Sequence, residues 1–266
     1  MRKPKMVLFD YAHTLAWEPD TDFIRGERAV FQHVTENPRH VTPEDASALG
    51  TKIWLNQREA RHGGVEPHEH QQLRLKYESL GLRFDLPLGE LEKLLWTATT
   101  PGEAMPGAPD MLAELQRRGI RTGVISNLGW SCEALTERLQ RLLQHEFEMV
   151  IVSSEYGARK PDPLLFQVAL SRAGLEAGDV WFCGDQIGAD IHGAQGVGMF
   201  PVWYECPRYP TVLQKRTKAW PSAATICTST IGMSCWRPLT NARNDDVQQG
   251  KNAGKAGGAG HSLRGL

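Results

Sequence analysis

Polar side chains follow several short apolar segments of this chain, at the points where those segments end. In chain order the polar residues are Asp10, Ser126, Asn127, Lys160, Asp185 and Asp190. Ligands of parallel α/β sheets bind outside the carboxyl ends of the strands, so these side chains are expected to converge if the segments are strands. Carboxylates, a hydroxyl and an ammonium group are able to bind a polar ligand and act on it. The pattern therefore predicts a functional site at one edge of a sheet.

The apolar segments themselves are typical of strands buried on both faces of a parallel sheet, because each is a short, continuous apolar run. In chain order they read KMVLFD, RTGVISN, EMVIVSS, DVWFCGD and MFPVWY. Amphipathic stretches of helical length precede the last four. Alternating strand and helix patterns indicate βαβ units with right-handed crossovers. We therefore predict a doubly wound α/β fold, with a central parallel sheet of five strands flanked by helices.

The interval after the first segment breaks this alternation. Residues 16–103 have helical periodicity and little strand character, with apolar positions such as Phe23, Val30 and Val34. Thr42 followed by Pro43 is a helix start signal. A span of this length is too long for a loop. We predict an inserted helical subdomain at 16–103, carried by a core made of 1–15 and 104–205.

The last part of the chain, residues 206–266, lacks the pattern of the core. From about Leu239 onward it has few large apolar residues and many Gly, Asn and Lys, so we expect disorder there. No clear element is predicted between Cys206 and Pro238. This extension is basic, but it has neither aromatic interleaving in its last residues nor an amphipathic helix. Nucleic-acid binding and membrane binding are therefore not expected.

The composition bounds the class of protein. The chain of 266 residues is 41% hydrophobic and 23% charged, which is typical of a soluble globular protein and excludes a mostly disordered one. No apolar run approaches the ~20 residues that cross a bilayer. The five cysteines are scattered and form no C-x-x-C pair, so we expect reduced thiols and no zinc site. These features favour a cytoplasmic location and leave the oligomeric state open.

The strand-end residues fall within four motifs that resemble those of the haloacid dehalogenase-like hydrolase superfamily. The motifs are FDYAHTL with Asp10 and Thr14, VISN with Ser126, ARKPDP with Lys160, and GDQIGAD with Asp185 and Asp190. Each motif is weak alone, whereas all four in this order are specific. The resemblance covers Val7 to about Tyr204 and implies a Rossmann-like core. The helical insertion is similar to the cap of the subfamily whose lid lies between the first two motifs.

The resemblance implies a hydrolase, most of all a magnesium-dependent phosphatase acting on a small phosphorylated metabolite. Asp10 would attack phosphorus and carry the phosphoryl group, which divides one hard displacement into two easier ones. Ser126 and Lys160 would stabilise the charge on the transferred group. The implied substrate contacts are Thr14, Asn127 and His13. The implied ligands of Mg²⁺ are Asp10, the backbone carbonyl of Ala12, Asp185 and Asp190.

One residue departs from the phosphatase pattern D-x-D-G-T. Its second Asp protonates the leaving oxygen and then activates water, a contribution on the order of 10² to 10⁴ in rate. Ala12 stands at that position and has no proton to give. We therefore expect a slow, broad phosphatase that favours substrates whose leaving group needs little protonation.

Several alternatives stay open at this point. His13 stands where the pattern has Gly, and its unperturbed pKa near 6.5 suits an acid and base. Phosphonoacetaldehyde hydrolases of the superfamily carry Ala at the position of Ala12 and use a cap lysine, for which Lys52 is the first candidate and Lys76 and Lys93 are others. Members of the 2-haloacid dehalogenase branch have Tyr there and need no metal. A catalytically impaired protein that binds a phosphorylated ligand is the last alternative.

A second cluster of titratable residues lies in the insertion. The stretch HGGVEPHEH contains His62, His68 and His70 beside Glu66 and Glu69. His68 and His70 are two positions apart and do not share one helical face, which argues against a metal site. We expect a solvated loop there.

Overall fold

The computed structural model describes residues 3–205 and 224–227. Strands in these residues are β1 (Met6–Phe9), β2 (Ala16–Trp17), β3 (Val34–Glu36), β4 (Arg83–Phe84), β5 (Glu103–Ala104), β6 (Arg121–Ser126), β7 (Met149–Val152), β8 (Val180–Gly184), β9 (Phe200–Glu205) and β10 (Ala224–Cys227). Helices are α1 (Phe23–Phe31), α2 (Pro43–Asn56), α3 (Arg58–His62), α4 (Glu69–Leu80), α5 (Leu88–Thr99), α6 (Ala108–Arg117), α7 (Cys132–Leu143), α8 (Pro163–Ala173) and α9 (His192–Gly196). None of these helices combines the length and the apolarity needed to span a bilayer.

The main sheet has six parallel strands in the order β10-β9-β8-β1-β6-β7. The chain runs from β1 outward through β6 and β7 on one side, and through β8, β9 and β10 on the other. The direction of winding thus reverses at β1, which is where ligand sites lie in open α/β sheets. The predicted α/β fold is confirmed, and the five predicted strands are β1, β6, β7, β8 and β9.

The sixth strand corrects the sequence prediction. Residues Ala224–Cys227 pair with Val202–Glu205 of β9, although no element was predicted between Cys206 and Pro238. The surrounding stretch SAATICTST has one large apolar residue, Ile226, so no apolar run signals a strand there, and its stabilisation comes from pairing with the edge of an existing sheet. The rest of the extension, with the disorder expected from Leu239, lies outside the described residues.

Strand β1 shows why the apolar segments read as continuous runs. Its four residues are all fully buried. Val7 and Phe9 pack on one face of the sheet, and Met6 and Leu8 pack on the other. Successive side chains of a strand point to opposite faces, so a strand covered on both sides must be apolar at every position.

The helical insertion is closed at its base by its own connecting segments. Ala16–Trp17 pairs antiparallel with Glu103–Ala104, so the chain leaves the core and returns to it side by side. Helices α1 to α5 lie between these two strands and form what we call the cap. Its hydrophobic core is Val30, Leu73, Tyr77, Leu82, Leu91 and Leu95.

Helix α5 fastens the cap to the core. The rings of Trp96 in α5 and Trp130 in the loop after β6 stack 5.0 Å apart at an interplanar angle of 4°. Glu92 of the same helix is fully buried and accepts hydrogen bonds from the Ser131 backbone N–H at 2.8 Å and its hydroxyl at 2.5 Å. Ser131 is the N-cap of α7. A cap carboxylate therefore helps to fix the start of a core helix.

The cap interior also contains a buried ion pair. Lys76 of α4 lies 2.5 Å from Glu27 of α1, and the Tyr77 hydroxyl donates to the second oxygen of Glu27 at 3.0 Å. Glu27 is 3% exposed and Lys76 4% exposed. A buried charge is tolerated when it is paired and hydrogen-bonded. Lys76 is thus a structural residue of the cap, and Lys52 on α2 is exposed to solvent.

We predict that Lys76→Met destabilises the protein by about 3–5 kcal/mol, because it leaves the Glu27 carboxylate buried without its cation. Equilibrium unfolding in urea measures the change, and Lys52→Met on the exposed face of α2 is the control. The double variant Glu27→Gln with Lys76→Met should regain part of the loss. Equal stability of Lys76→Met and Lys52→Met would contradict a buried pair.

Candidate active site

Lys160 lies at the centre of the residues predicted at the strand ends. Its Nζ is 2.7 Å from Asp10 Oδ1 and 2.7 Å from Asp190 Oδ1, and it donates to the Ile125 carbonyl at 2.8 Å. The residue is 4% exposed. Its hydrogen bonds are to Asp10 and the Ile125 carbonyl, and its contact with Asp190 is an ion pair. One buried cation therefore holds two of the predicted acids together.

The strands of the sheet deliver the other members of the site. Asp10 directly follows β1, and its N–H donates to the Cys183 carbonyl of β8 at 2.8 Å, so the pairing of the two strands extends to Asp10. Asp185 directly follows β8. Ser126 is the last residue of β6 on the other side of β1 and is buried next to Ile125. Neighbouring parallel strands end at one edge, which brings these residues to the same place.

Asp190 reaches the site through a close approach to the backbone. It lies in a single π-helical turn, Ile187–Ile191, and its Oδ2 accepts from the Gln186 N–H at 2.9 Å. A Cβ placed on Gly184 would lie 2.3 Å from Asp190 Oδ2 and 2.6 Å from Asp190 Cβ. A residue with a side chain would not fit there. Glycine at position 184 is thus required for the carboxylate of Asp190 to reach Lys160.

Asn127 holds the backbone of Lys160. Its side-chain N–H group donates to the Lys160 carbonyl at 2.9 Å, and its side-chain oxygen accepts from the Lys160 N–H at 2.7 Å. Both ends of the amide are therefore engaged with one residue. Asn127 fixes the position of Lys160 in this structure, and its contact with a substrate stays a prediction.

Electrostatics within the site are dominated by three carboxylates that share one cation. Burial, with the negative charges of Asp10 and Asp190, raises the pKa of Asp185 to about 8. Burial also raises the pKa of Asp190 to about 6, although Lys160 acts in the opposite direction. Burial alone would lower the pKa of Lys160, but the carboxylates of Asp10 and Asp190 outweigh it and raise that pKa. The site is short of positive charge.

This shortage fits a divalent cation. Oxygen atoms from Asp10, Asp185 and Asp190 lie within 4.8 Å of one another. Asp185 Oδ1 is buried and has no hydrogen-bond partner among the described residues. Carboxylate oxygens are the ligands that Mg²⁺ prefers, and a second positive charge would offset the repulsion among the acids. The residues present are thus suited to hold the predicted metal.

The residues after Asp10 form a tight turn. The His13 N–H donates to the Ala16 carbonyl at 2.7 Å, and His13 has a φ of 58°, in the left-handed region that favours glycine. This conformation explains why the D-x-D-G-T pattern has Gly at the corresponding position. The Thr14 hydroxyl is buried without a hydrogen-bond partner among the described residues. Ala12 is half-buried, and its side chain is a methyl group that has no proton to give.

The loop HGGVEPHEH is exposed at residues 62–65, as expected for a solvated segment, but not at Glu66. Glu66 in its middle is 3% exposed. Its carboxylate contacts Arg159 of the core, the residue directly before Lys160, and accepts a hydrogen bond from the Ser153 hydroxyl at 2.9 Å. The sequence pattern predicts no contact among these three residues, because a charged loop looks solvated until its partner is known. The unassigned arginine in ARKPDP was the available signal.

Comparisons with known proteins agree with the observed fold. A family model described as haloacid dehalogenase-like hydrolase matches residues 5–198. A glyceraldehyde 3-phosphate phosphatase of Pyrococcus abyssi is 35% identical over 101 residues, which are 38% of this chain and 42% of that protein. A phosphoserine phosphatase of Thermus thermophilus is 34% identical over 100 residues, 38% of this chain and 40% of that protein. The matching part spans about two fifths of the length of these curated relatives.

One solved structure shares the architecture. The HAD phosphatase from Thermococcus onnurineus superposes with a TM-score of 0.54 at 22% identity, covering 79% of this chain and 90% of that one. A sequence identity of 22% is evidence for a shared fold alone. It agrees with the parallel sheet and flanking helices observed here.

We predict that Gly184→Ala destabilises the protein by about 1–3 kcal/mol, because the added methyl group overpacks the site against Asp190. Gly188→Ala is the matched control, since no atom lies within 4 Å of a Cβ at that position. Equilibrium unfolding of the two variants decides the matter. If Gly184→Ala unfolds at the same denaturant concentration as Gly188→Ala, Asp190 does not approach the Gly184 backbone as closely as described.

Proposed function

Because this chain belongs to the haloacid dehalogenase-like hydrolase family, we propose that it is a magnesium-dependent phosphatase that acts on a small phosphorylated metabolite through Asp10. The contact of Asp10 with Lys160 is the observation that carries the proposal. A buried lysine that binds one carboxylate oxygen fixes the orientation of that carboxylate and leaves the other oxygen for attack. The phosphatases among the relatives, named for glyceraldehyde 3-phosphate and phosphoserine, support a small phosphorylated substrate.

In the proposed first step, an oxygen of Asp10 attacks phosphorus and the bond between phosphorus and the leaving oxygen breaks. The leaving oxygen takes a proton from water. In the second step water attacks phosphorus, the bond between phosphorus and the Asp10 oxygen breaks, and the attacking water loses a proton that balances the one taken by the leaving oxygen; phosphate is released and the Asp10 carboxylate is restored. Lys160 would bind an equatorial oxygen of the transferred group, and the Ser126 hydroxyl and the Thr14 hydroxyl would donate to others. His13 would contact the substrate from the turn after Asp10.

Mg²⁺ would be held by Asp10, Asp185 and the Ala12 carbonyl, with Asp190 ordering these ligands. When bound, the ion supplies positive charge that stabilises the phosphate oxygens in the transition state. The buried Asp185 oxygen that has no partner in the described residues supports this assignment. Asp190 already contacts Lys160 and the Gln186 N–H, so its proposed role is to hold the metal ligands in position.

Ala12 shapes the choice of substrate. Because position 12 offers no acid, phosphoanhydrides, acyl phosphates and aryl phosphates should react faster than alkyl phosphates, whose leaving oxygen needs a proton.

The alternative reactions have less support. An imine on a cap lysine requires an accessible amine, which among the three candidates only Lys52 offers. Lys76 is paired with Glu27, and Lys93 contacts Glu90 and Glu133. Dehalogenation needs no metal, so it leaves the clustering of three carboxylates unexplained. The cytoplasmic location, expected because no apolar run is long enough to cross a bilayer, stays a prediction.

We predict that Asp10→Asn lowers kcat for p-nitrophenyl phosphate by at least about 10³-fold, because it removes the nucleophile. A chelator should abolish turnover of the parental protein, and Mg²⁺ should restore it. Asp110→Asn, on the exposed face of α6, is the control. Turnover by Asp10→Asn close to that of the control, or full activity in the presence of chelator, would contradict the mechanism.

We predict that Ala12→Asp raises kcat for glycerol 2-phosphate at least about tenfold, because it supplies the missing acid and base. The ratio of kcat for glycerol 2-phosphate to kcat for p-nitrophenyl phosphate measures the effect. Ala12→Asn has a similar shape and transfers no proton, so it should leave the ratio unchanged. An increase in both variants, or in neither, would show that proton transfer at position 12 does not limit the reaction.

A further inference from the structure

Glu66 of the cap is buried against the core at a point close to Lys160. It lies in the loop between α3 and α4, and its carboxylate is enclosed by three partners. One oxygen contacts Arg159 Nη1 and accepts from Ser153 Oγ at 2.9 Å, and the other lies 3.4 Å from Arg61 Nε. Arg61 belongs to the cap, whereas Arg159 and Ser153 belong to the core. The carboxylate therefore joins the two parts of the protein.

Backbone hydrogen bonds flank this ion pair on both sides. The Glu66 N–H donates to the Gly157 carbonyl at 3.4 Å, and the Arg159 N–H donates to the Gly64 carbonyl at 3.1 Å. The cap loop thus lies along the core loop that carries Lys160. Exposed ion pairs between long side chains contribute little. The Glu66 carboxylate is 3% exposed and lies between backbone hydrogen bonds, so its ion pair with Arg159 is held in place.

The contacts of Glu66 continue into the loop after β6. Ser153 Oγ, which donates to Glu66, accepts from the Leu128 N–H at 2.8 Å. Leu128 follows Asn127, whose side chain binds both backbone groups of Lys160. Lys160 in turn follows Arg159, which contacts Glu66. Glu66 therefore closes a ring of hydrogen bonds around two core loops of the active site.

We propose that Glu66 is a positioning residue that couples docking of the cap to the placement of Lys160. This inference rests on the proposed function, because it concerns the same site. When Glu66 is in place, the Asn127 loop and the Lys160 backbone are held by a closed ring. When the cap moves away from the core, Arg159 and Ser153 lose Glu66 as their shared partner, and the ring of hydrogen bonds is broken. Misplacement of a catalytic group by ~1 Å can cost about 10²-fold in rate.

The experiment compares Glu66→Gln and Ser153→Ala with the control Glu44→Gln. Glu66→Gln keeps an acceptor for Ser153 and removes the charge that Arg159 binds. Glu44 pairs with Arg28 on the exposed side of the cap and matches the substitution chemically. Steady-state kinetics with p-nitrophenyl phosphate and Mg²⁺ give kcat and KM. Hydrogen exchange followed by mass spectrometry reports on residues 127–130 and 157–162.

We expect Glu66→Gln to lower kcat by about 10-fold to 10²-fold with KM changed by less than about threefold, since the reacting groups and not the binding surface are displaced. Exchange should become faster in 127–130 and 157–162 and stay unchanged in the strands. Ser153→Ala should show the same pattern more weakly. Adding Arg159→Gln to Glu66→Gln should cause little further loss, because both substitutions break one contact. Glu44→Gln should match the parental protein.

Parental kcat together with parental exchange in both Glu66→Gln and Ser153→Ala would overturn the proposal. So would a loss of kcat in Glu66→Gln without faster exchange in either segment. If Glu66→Gln does not fold, Ser153→Ala decides by the same two readouts. If the parental protein turns over no phosphate ester, the proposed function fails and the exchange measurement alone decides the positioning role.

Discussion

The rest of the site depends on the contacts of the buried Lys160 ammonium group. An isolated charge in a protein interior costs many kcal/mol, so a fully enclosed lysine persists only when oxygen atoms surround its charge. Asp10, Asp190 and the Ile125 carbonyl supply these oxygen atoms. The same contacts hold two acids side by side that would otherwise repel one another. The elements around Lys160 meet this requirement. Strand ends supply oxygen atoms, and Gly184 leaves room for the Asp190 carboxylate.

The cap is tied to this centre by buried polar contacts as well as by apolar packing. Tyr11, directly after Asp10, accepts from Arg138 Nε at 2.7 Å and donates to Glu18 at 3.0 Å. Glu18 also accepts from Trp96 of α5 at 3.0 Å, so the residue beside the proposed nucleophile touches both the connecting segment and a cap helix. Polar networks of this kind require all members in place at once. The cap therefore contacts Tyr11, the residue after Asp10, as well as Arg159, the residue before Lys160.

Much of the core could be predicted from the sequence, because a strand buried on both faces leaves a continuous apolar run and a polar residue at its end. Asp10 and Asp185 were found in this way. The rest depended on tertiary partners that a linear pattern does not contain. Glu66 looked solvated because its partner Arg159 lies far along the chain, and β10 was missed because its small and polar residues form no apolar run and pair only beside β9. Lys76 was a candidate for a reactive cap lysine for the same reason, because its partner Glu27 lies on another helix.

The most direct test of the account is a crystal structure with Mg²⁺ and beryllium fluoride, which mimics a phosphoryl group on a carboxylate. The account predicts beryllium bonded to an Asp10 oxygen, Lys160 Nζ within hydrogen-bond distance of a fluoride, and Mg²⁺ bound by Asp10 and Asp185. Beryllium fluoride bound away from Asp10, or an Asp10 carboxylate turned out of the cleft with Lys160 paired elsewhere, would contradict it.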